Sequence, residues 1–444
     1  MSDALPLPPR PNLDQYRKLA KELQSACRSG EPDAVRNWAI QWVERMARLQ
    51  GLEIALQVRG QINDTASGIE HRWHKSTAKE RGSRCTLADA QLFVAREHGF
   101  ASWPKFAGHL AGLALAHSPV SQFEAAADAI VSGDATTLAA ILNRNPELVE
   151  ARSTRDHRST LLHYVSANGV ENFRQKTPKN ILEITKLLLQ AGAAVNAESD
   201  AYGGRSTTLG LTATSWHPEN AGVQLPLLQL LIDHGALLDG PDGASAVNSC
   251  LANGRGPAAE FLAARGAKLD LEGAAGVGRP DVVQTFFSDD GRVKPPATEK
   301  QMQDGFAWAC EFGRTSVVDF LLQRGMTVES KLRHNRQTGL HWAAYGGHVN
   351  TVKLLLRHGS RVDATDESYG GTPLDWALYA WADRNEAEKP ERGSYYAVVA
   401  ALVRAGAKPE SKPDSDNPGA PRTAKKIQAD PRMLAALRGE DPAE

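Results

Sequence analysis

Thr338-Gly339-Leu340-His341-Trp342-Ala343-Ala344, then Gly347-His348, then Val352-Lys353-Leu354-Leu355-Leu356, then Gly359: this stretch reads as two short helices, each closed by a glycine. Glycine suits both ends because it adopts positive φ without a Cβ penalty. The unit recurs. Trp308-Ala309-Cys310, Trp342-Ala343-Ala344 and Trp376-Ala377-Leu378 stand 34 residues apart, and Thr372-Pro373-Leu374-Asp375-Trp376-Ala377 opens the next copy. Equal spacing of equivalent residues marks an internal repeat, in which stacked neighbours bury one continuous core.

The stretch resembles the ankyrin repeat, whose period is about 33 residues and whose signature is T-P-L-H-x-A. The resemblance implies an all-α, ankyrin-repeat solenoid of helix-turn-helix units with short β-turn fingers. Working outward, inner-helix glycines recur at Gly169, Gly254, Gly278, Gly313 and Gly347, and outer turns at Gly192, Gly235, Gly266, Gly325, Gly359 and Gly406. Apolar clusters such as Leu187-Leu188-Leu189, Leu230-Leu231-Ile232 and Phe320-Leu321-Leu322 precede the outer turns. Seven to eight repeats fit residues 119–408, the first degenerate (Phe123 to Leu142, around Gly133-Asp134) and one truncated near 271–291. Insertions fall at Glu171 to Asn180, Trp216 to Val223 and Ala382 to Ser394; they read as tolerated surface elaboration, with a functional loop as the alternative. Residues 409–444 read as a flexible tail with a short capping helix at Asp430 to Leu437.

Residues 1–118 lack the repeat and read as a small helical module. Leu13 to Cys27 and Asp33 to Gln50 have helical spacing, residues 59–84 read as a polar connection, and Thr86-Leu87-Ala88-Asp89 and Ser102-Trp103-Pro104 open two further helices. The run from Leu87 through Gly99-Phe100-Ala101-Ser102-Trp103-Pro104 is similar to a helical segment of bacterial ankyrin-repeat proteins; that likeness carries no activity.

The chain has 444 residues with 51 Lys+Arg against 52 Asp+Glu, a net charge of −1, which gives no global field toward nucleic acid or a membrane surface. Met1 to Pro11 has no apolar signal core, and no stretch approaches the roughly 18 apolar residues of a membrane span. Cys27, Cys85, Cys250 and Cys310 include no C-x-x-C and read as reduced thiols, so a cytoplasmic location is expected.

Function then turns on exposed side chains. The ankyrin resemblance implies that the residues before each inner glycine, and the finger residues before each T-P-L-H box, face a concave groove that receives a partner protein. On this chain those positions give Glu311, Phe312, Tyr345 and Tyr379 from helices, and His334, Asn335, Gln337 and Tyr369 from fingers. Tyrosine can bury area and still hydrogen-bond, as binding hot spots require; incidental exposure of aromatic rings is the competing reading. The tryptophan ladder reads as packing between neighbouring inner helices. His341, like His163 in Thr160-Leu161-Leu162-His163, is implied by the resemblance to brace adjacent fingers. The expected function is a non-catalytic scaffold or adaptor that binds an unidentified protein through the C-terminal repeats, with no cofactor, metal, nucleic acid or membrane involved.

Two alternatives stand beside it. One is an enzyme or metal protein with activity in residues 1–118: His71 and His74 are i, i+3, with Glu70 and Cys85 as possible extra ligands, but zinc sites need three or four. The other is self-association through Trp38 and Trp42. Gly273 to Gly278 looks superficially like a nucleotide loop, yet it falls on an inner helix with no preceding strand.

Overall fold

The computed structural model describes residues 4–8, 10–49, 56–79, 85–332, 336–367, 369–383, 393–408 and 420–440. It separates into two compact units, Met1–Gly240 and Pro241–Glu444. Helices dominate both. The tail segment 409–419 and most of the charged insertion, 384–392, lie outside the described residues.

In the first unit, α1 (Leu13–Ser29) starts at an Asn12 cap and ends at Gly30 with φ 71°. It packs Tyr16, Leu19, Ala20 and Leu23 against α2 (Ala34–Leu49). Trp38 and Trp42 of α2 are only 5% and 3% exposed, and the Trp38 indole N–H donates to the Leu19 carbonyl at 3.2 Å. This burial overturns the reading of these rings as an open self-association face. The supposed polar connection is also corrected: residues Leu56–Lys79 form α3. Ile62, Ala66, Ile69 and Trp73 recur at spacings of 4, 3 and 4 and are all buried, so a narrow apolar stripe orders an otherwise polar helix.

Capping fixes the next two helices. Thr86 and Asp89 exchange side-chain and backbone bonds at the start of α4 (Leu87–Glu97), and Ser102 caps α5 (Trp103–Leu113). Cys27 and Cys85 form a disulfide with Cα atoms 6.1 Å apart, whereas Cys250 and Cys310 are buried thiols. The expectation of four reduced cysteines therefore fails for one pair, whose members are 58 residues apart and carry no motif that betrays their meeting.

These helices are joined to the first finger. The Gly99 carbonyl accepts from the Asp156 amide at 3.0 Å, and the Asp156 carboxylate accepts from the Ala101 amide at 2.7 Å. Arg155 lies over the Phe100 ring, 5.5 Å from its centroid. α6 (Pro119–Ser132) and α7 (Ala135–Arg144) follow, separated by Gly133 at φ 81°. The next inner helix is a 3-10 turn, Leu161–Ser166, facing α8 (Ile181–Gln190). A two-residue hairpin pairs β1 (Glu198–Ser199) with β2 (Ser206–Thr207) as a finger. There follow α9 (Thr208–Thr214), α10 (Trp216–Asn220), which occupies the predicted insertion, and α11 (Gln224–Asp233).

A buried ionic network holds this repeat region. Arg155 bridges Glu124 at 2.6 Å and Glu171 at 2.9 Å, and Arg174 reaches Glu124 and Asp128, each at 2.7 Å. Burial alone would push the Glu171 carboxyl up, but the Arg155 guanidinium, with His157 and Arg174, holds it well below the usual carboxylate range. The insertion Glu171 to Asn180 is thus no mere surface elaboration, because Glu171 and Arg174 are two of the network's charges.

The second unit stacks α12 (Ala246–Ala252) and α13 (Gly256–Ala264), α14 (Leu271–Gly276) and α15 (Pro280–Gln284), α16 (Glu299–Glu311) and α17 (Thr315–Gln323), α18 (Gly339–Gly346) and α19 (Val349–Arg357), and α20 (Pro373–Asp383) and α21 (Gly393–Arg404). α14 begins at an Asp270 cap four residues past the Gly266 turn. From α14 onward the pairs share one core, which includes Phe306, Cys310, Leu321, Leu340, Leu355, Leu374 and Val399. At its end, α23 (Pro431–Ala436) brings Met433 and Ala436 into that core, and Ile427 of α22 (Ala420–Gln428) packs against it. Asp430 caps α23 and accepts from the Tyr396 hydroxyl at 2.7 Å.

Candidate partner-binding surface

Two residues organise the fingers of the second unit. His341 accepts the Thr338 amide at Nδ1 (3.1 Å) and donates from Nε2 to the Gly371 carbonyl of the next finger (3.1 Å). Burial lowers its pKa, and this bonding pattern is that of a neutral imidazole carrying its proton on Nε2. His163 repeats the pattern toward Ser206 at 3.2 Å. In the following finger, Asp366 is 3% exposed; one carboxylate oxygen accepts the Tyr369 amide at 2.8 Å, and the other accepts the Gly371 amide and the Trp376 indole N–H, both at 3.0 Å. A single buried carboxylate thereby positions a finger tyrosine and an inner-helix tryptophan together.

Around this clamp the rings gather. Trp342 and Trp376 lie 5.6 Å apart, and the Tyr345 ring is 5.6 Å from Trp376 and 6.3 Å from Trp342, all edge to face. Such geometry favours the positive ring edge over the negative face. The three rings are half-buried, while Tyr379, one turn beyond Trp376 on α20, is 44% exposed and Tyr369 is 71% exposed. The Tyr345 carbonyl accepts from the Tyr395 hydroxyl at 3.0 Å, which ties the end of α18 to α21.

The remaining sequence candidates divide. Glu311 and Phe312 are half-buried at the end of α16; the Glu311 carbonyl accepts from His348 Nε2 at 2.8 Å, and the Phe312 ring lies against Gly256 and 6.4 Å from Trp308. Gln337 is 2% exposed and bridges Leu332 through its backbone, so it belongs to the base of the finger and not to a contact surface. His334 and Asn335 lie outside the described residues. Within the tryptophan ladder, Trp308 is a core residue at 4% exposure, donating to Glu272 at 2.8 Å, whereas Trp342 and Trp376 also present part of their rings.

The sequence reading passed over a second pair of exposed rings in the first unit. Tyr202 is 67% exposed at a finger tip, with φ 52° and its hydroxyl donating to Asn168 Oδ1 at 2.6 Å. Trp216, 39% exposed, opens α10. Gly203-Gly204 was the available signal for that turn.

His71 and His74 lie on α3, where His74 faces Glu70 at 3.9 Å, and the Cys85 sulfur is taken by Cys27. Among the described residues no group of three or more His, Cys, Asp or Glu could hold a metal ion. Gly273 and Gly276 sit on α14, where an added Cβ at Gly276 would meet Leu251 and Trp308; close helix packing accounts for that glycine. Among the described residues no helix is long and apolar enough to cross a membrane.

Comparison with known proteins bears on the same region. The family described as "Ankyrin repeats (3 copies)" matches residues 306–412. Among solved structures, the chain is similar to the crystal structure of the human ASB11 ankyrin repeat domain at 20% identity, over 64% of this chain and 99% of that one, with a TM-score of 0.32. A likeness at that score adds nothing to the repeat assignment. No match is found among curated proteins. The chain has an all-α repeat fold, and ankyrin repeats are present in it.

Proposed function

We propose that the C-terminal repeats form a non-catalytic scaffold that binds a partner protein at Tyr345, Tyr369 and Tyr379, with Trp342 and Trp376 as its floor. Ankyrin repeats generally mediate protein–protein interaction. The observation that carries the reading is the Asp366 clamp, which ties the backbone of the exposed Tyr369 to the Trp376 indole of the half-buried Trp342–Tyr345–Trp376 cluster. A surface already held in place loses little ordering entropy on binding, and rigid aromatic anchors dominate interface energetics. Glu311 and Phe312 extend the surface toward the preceding repeat, and His334 and Asn335 remain part of the proposed finger contacts. A net charge of −1 favours a protein partner over nucleic acid or an anionic membrane. The Leu87–Pro104 resemblance favours a bacterial protein; a cytoplasmic location draws no support from the cysteines, since buried Cys250 and Cys310 stay thiols in any compartment and the Cys27–Cys85 disulfide counts against it.

The test is capture from native lysate with the wild type and the Tyr369→Asp/Tyr379→Asp double variant, both residues being exposed enough to change without disturbing the core. Loss of a specific partner with an unchanged circular dichroism melt supports the reading. Equal capture by both proteins removes it.

A further inference from the structure

The Cys27–Cys85 pair is a site that the partner-binding reading does not use. It joins the last turn of α1 to the residue before the Thr86 cap of α4, and both cysteines are half-buried, so the bridge lies within reach of solvent thiols. Its backbone is held independently of the sulfurs. Gln24 Nε2 and Arg28 Nε both donate to the Cys85 carbonyl, at 3.3 and 3.1 Å, and Cys85 sits at φ 48°, a left-handed conformation that a non-glycine residue keeps only when its surroundings impose it. The two sulfurs therefore stay close after the bond is broken, as reversible chemistry requires.

From this geometry we infer that Cys27 and Cys85 are a reversible thiol–disulfide site whose redox partner is a dithiol, and that its state governs how readily α1–α3 part from α4. In the reducing direction a dithiol thiolate attacks one sulfur of the bridge and the other leaves as a thiolate. The second dithiol sulfur then closes a ring. Two electrons and two protons pass to Cys27 and Cys85, and the dithiol becomes a cyclic disulfide. Re-oxidation by that cyclic disulfide runs the same steps backward.

What the bond controls follows from where it lies. Besides the bridge, α1–α3 are held to α4 by the Arg72 guanidinium on the Glu97 carboxylate (2.9 and 2.7 Å), by Trp73 against Phe93 at 5.1 Å, and by the Tyr16 and Trp42 rings edge-on to His98 at 5.1 and 5.6 Å. Opening breaks all of these, but with the bridge intact the chain still closes a loop spanning 58 residues. Where the opening also unfolds α2 and α3, so that this loop is disordered, removing the constraint raises the open population by about a hundred- to a thousand-fold. Opening bares Phe93, His98 and Phe106, while the core of the second unit is untouched.

The experiment equilibrates the full chain in dithiothreitol buffers of varied reduced-to-oxidised ratio, traps free thiols by alkylation, and reads amide hydrogen exchange by mass spectrometry. Expected are a Cys27–Cys85 cross-linked peptide in oxidised buffer, its reversible loss in the folded chain, and exchange in α1–α4 faster by that hundred- to thousand-fold on reduction, with α16–α19 unchanged. Cys27→Ser should exchange like the reduced protein in every buffer; should that variant not fold, the reduced wild-type chain supplies the same reading. Free alkylation of both cysteines in oxidised buffer overturns the inference. So does a bridge that resists dithiothreitol until the chain unfolds, which would make it a permanent cross-link, or exchange that is equal in the two redox states. None of these outcomes depends on the partner-binding surface.

Discussion

Single residues carry much of the structure because several contacts admit no substitute. At Gly346 an added Cβ would fall on the Glu311 carbonyl oxygen and on the His348 ring, which itself donates to that carbonyl. Backbone cannot swing aside as a flexible side chain can, so Gly346→Ala is expected to destabilise the second unit by about 1–3 kcal/mol, read from its denaturant midpoint. Arg155 is the equivalent in the first unit. It is 2% exposed and paired with two buried carboxylates, so Arg155→Ala leaves Glu124 and Glu171 without half of their compensation. Breaking a buried pair from one side costs about 3–5 kcal/mol, and equilibrium unfolding of the variant should show a loss of that size.

Among elements, those with a strong local signal were legible and those defined by distant partners were not. The α18 and α20 units could be read because Thr338-Gly339-Leu340-His341 and Thr372-Pro373-Leu374-Asp375 carry caps, period and glycine stops together. Helices α4 and α5 announced themselves through the Thr86 and Ser102 caps. α3 escaped notice since its stripe is one residue wide, Ile62, Ala66, Ile69 and Trp73, inside a segment rich in charge. That helix supplies a clear test: Trp73→Ala, at a site 2% exposed, should cost roughly 3–5 kcal/mol, whereas a merely solvated connection would lose almost nothing. The candidate surface was legible in part. Tyr369 and Tyr379 are exposed as their positions implied, but Gln337 turned inward because its backbone closes the finger against Leu332. Asp366, the residue that sets the geometry, gave no sign, since a lone aspartate in a turn looks the same whether or not it caps an indole. The ionic network was equally silent: Glu124, Arg155, Glu171 and Arg174 are spread over 50 residues without a pattern.

On the scale of the whole molecule, the titrating groups are unevenly placed. Burial lowers His98, His109 and His163, all in the first unit, to about 4 from the ordinary 6.5. These imidazoles stay neutral in the folded chain and take up protons when it unfolds. Stability from this source is therefore full above pH 6.5 and falls as the pH drops toward 4, by up to about 1.4 kcal/mol per pH unit for each histidine. Hydrogen exchange followed from pH 7 to 4.5, corrected for intrinsic rates, should show residues 1–240 losing protection over that interval. The second unit, where burial lowers His341 as well, is expected to lose less. The proposed partner binding lies in that second unit, and a photo-crosslinking residue placed at Tyr379, compared with one at the exposed Arg357 on the outer helix α19, tests it most directly. The account expects one protein to be captured from position 379 in living cells and lost when Tyr369→Asp is added, with little from position 357. Capture of that protein from 357 but not from 379 would contradict it.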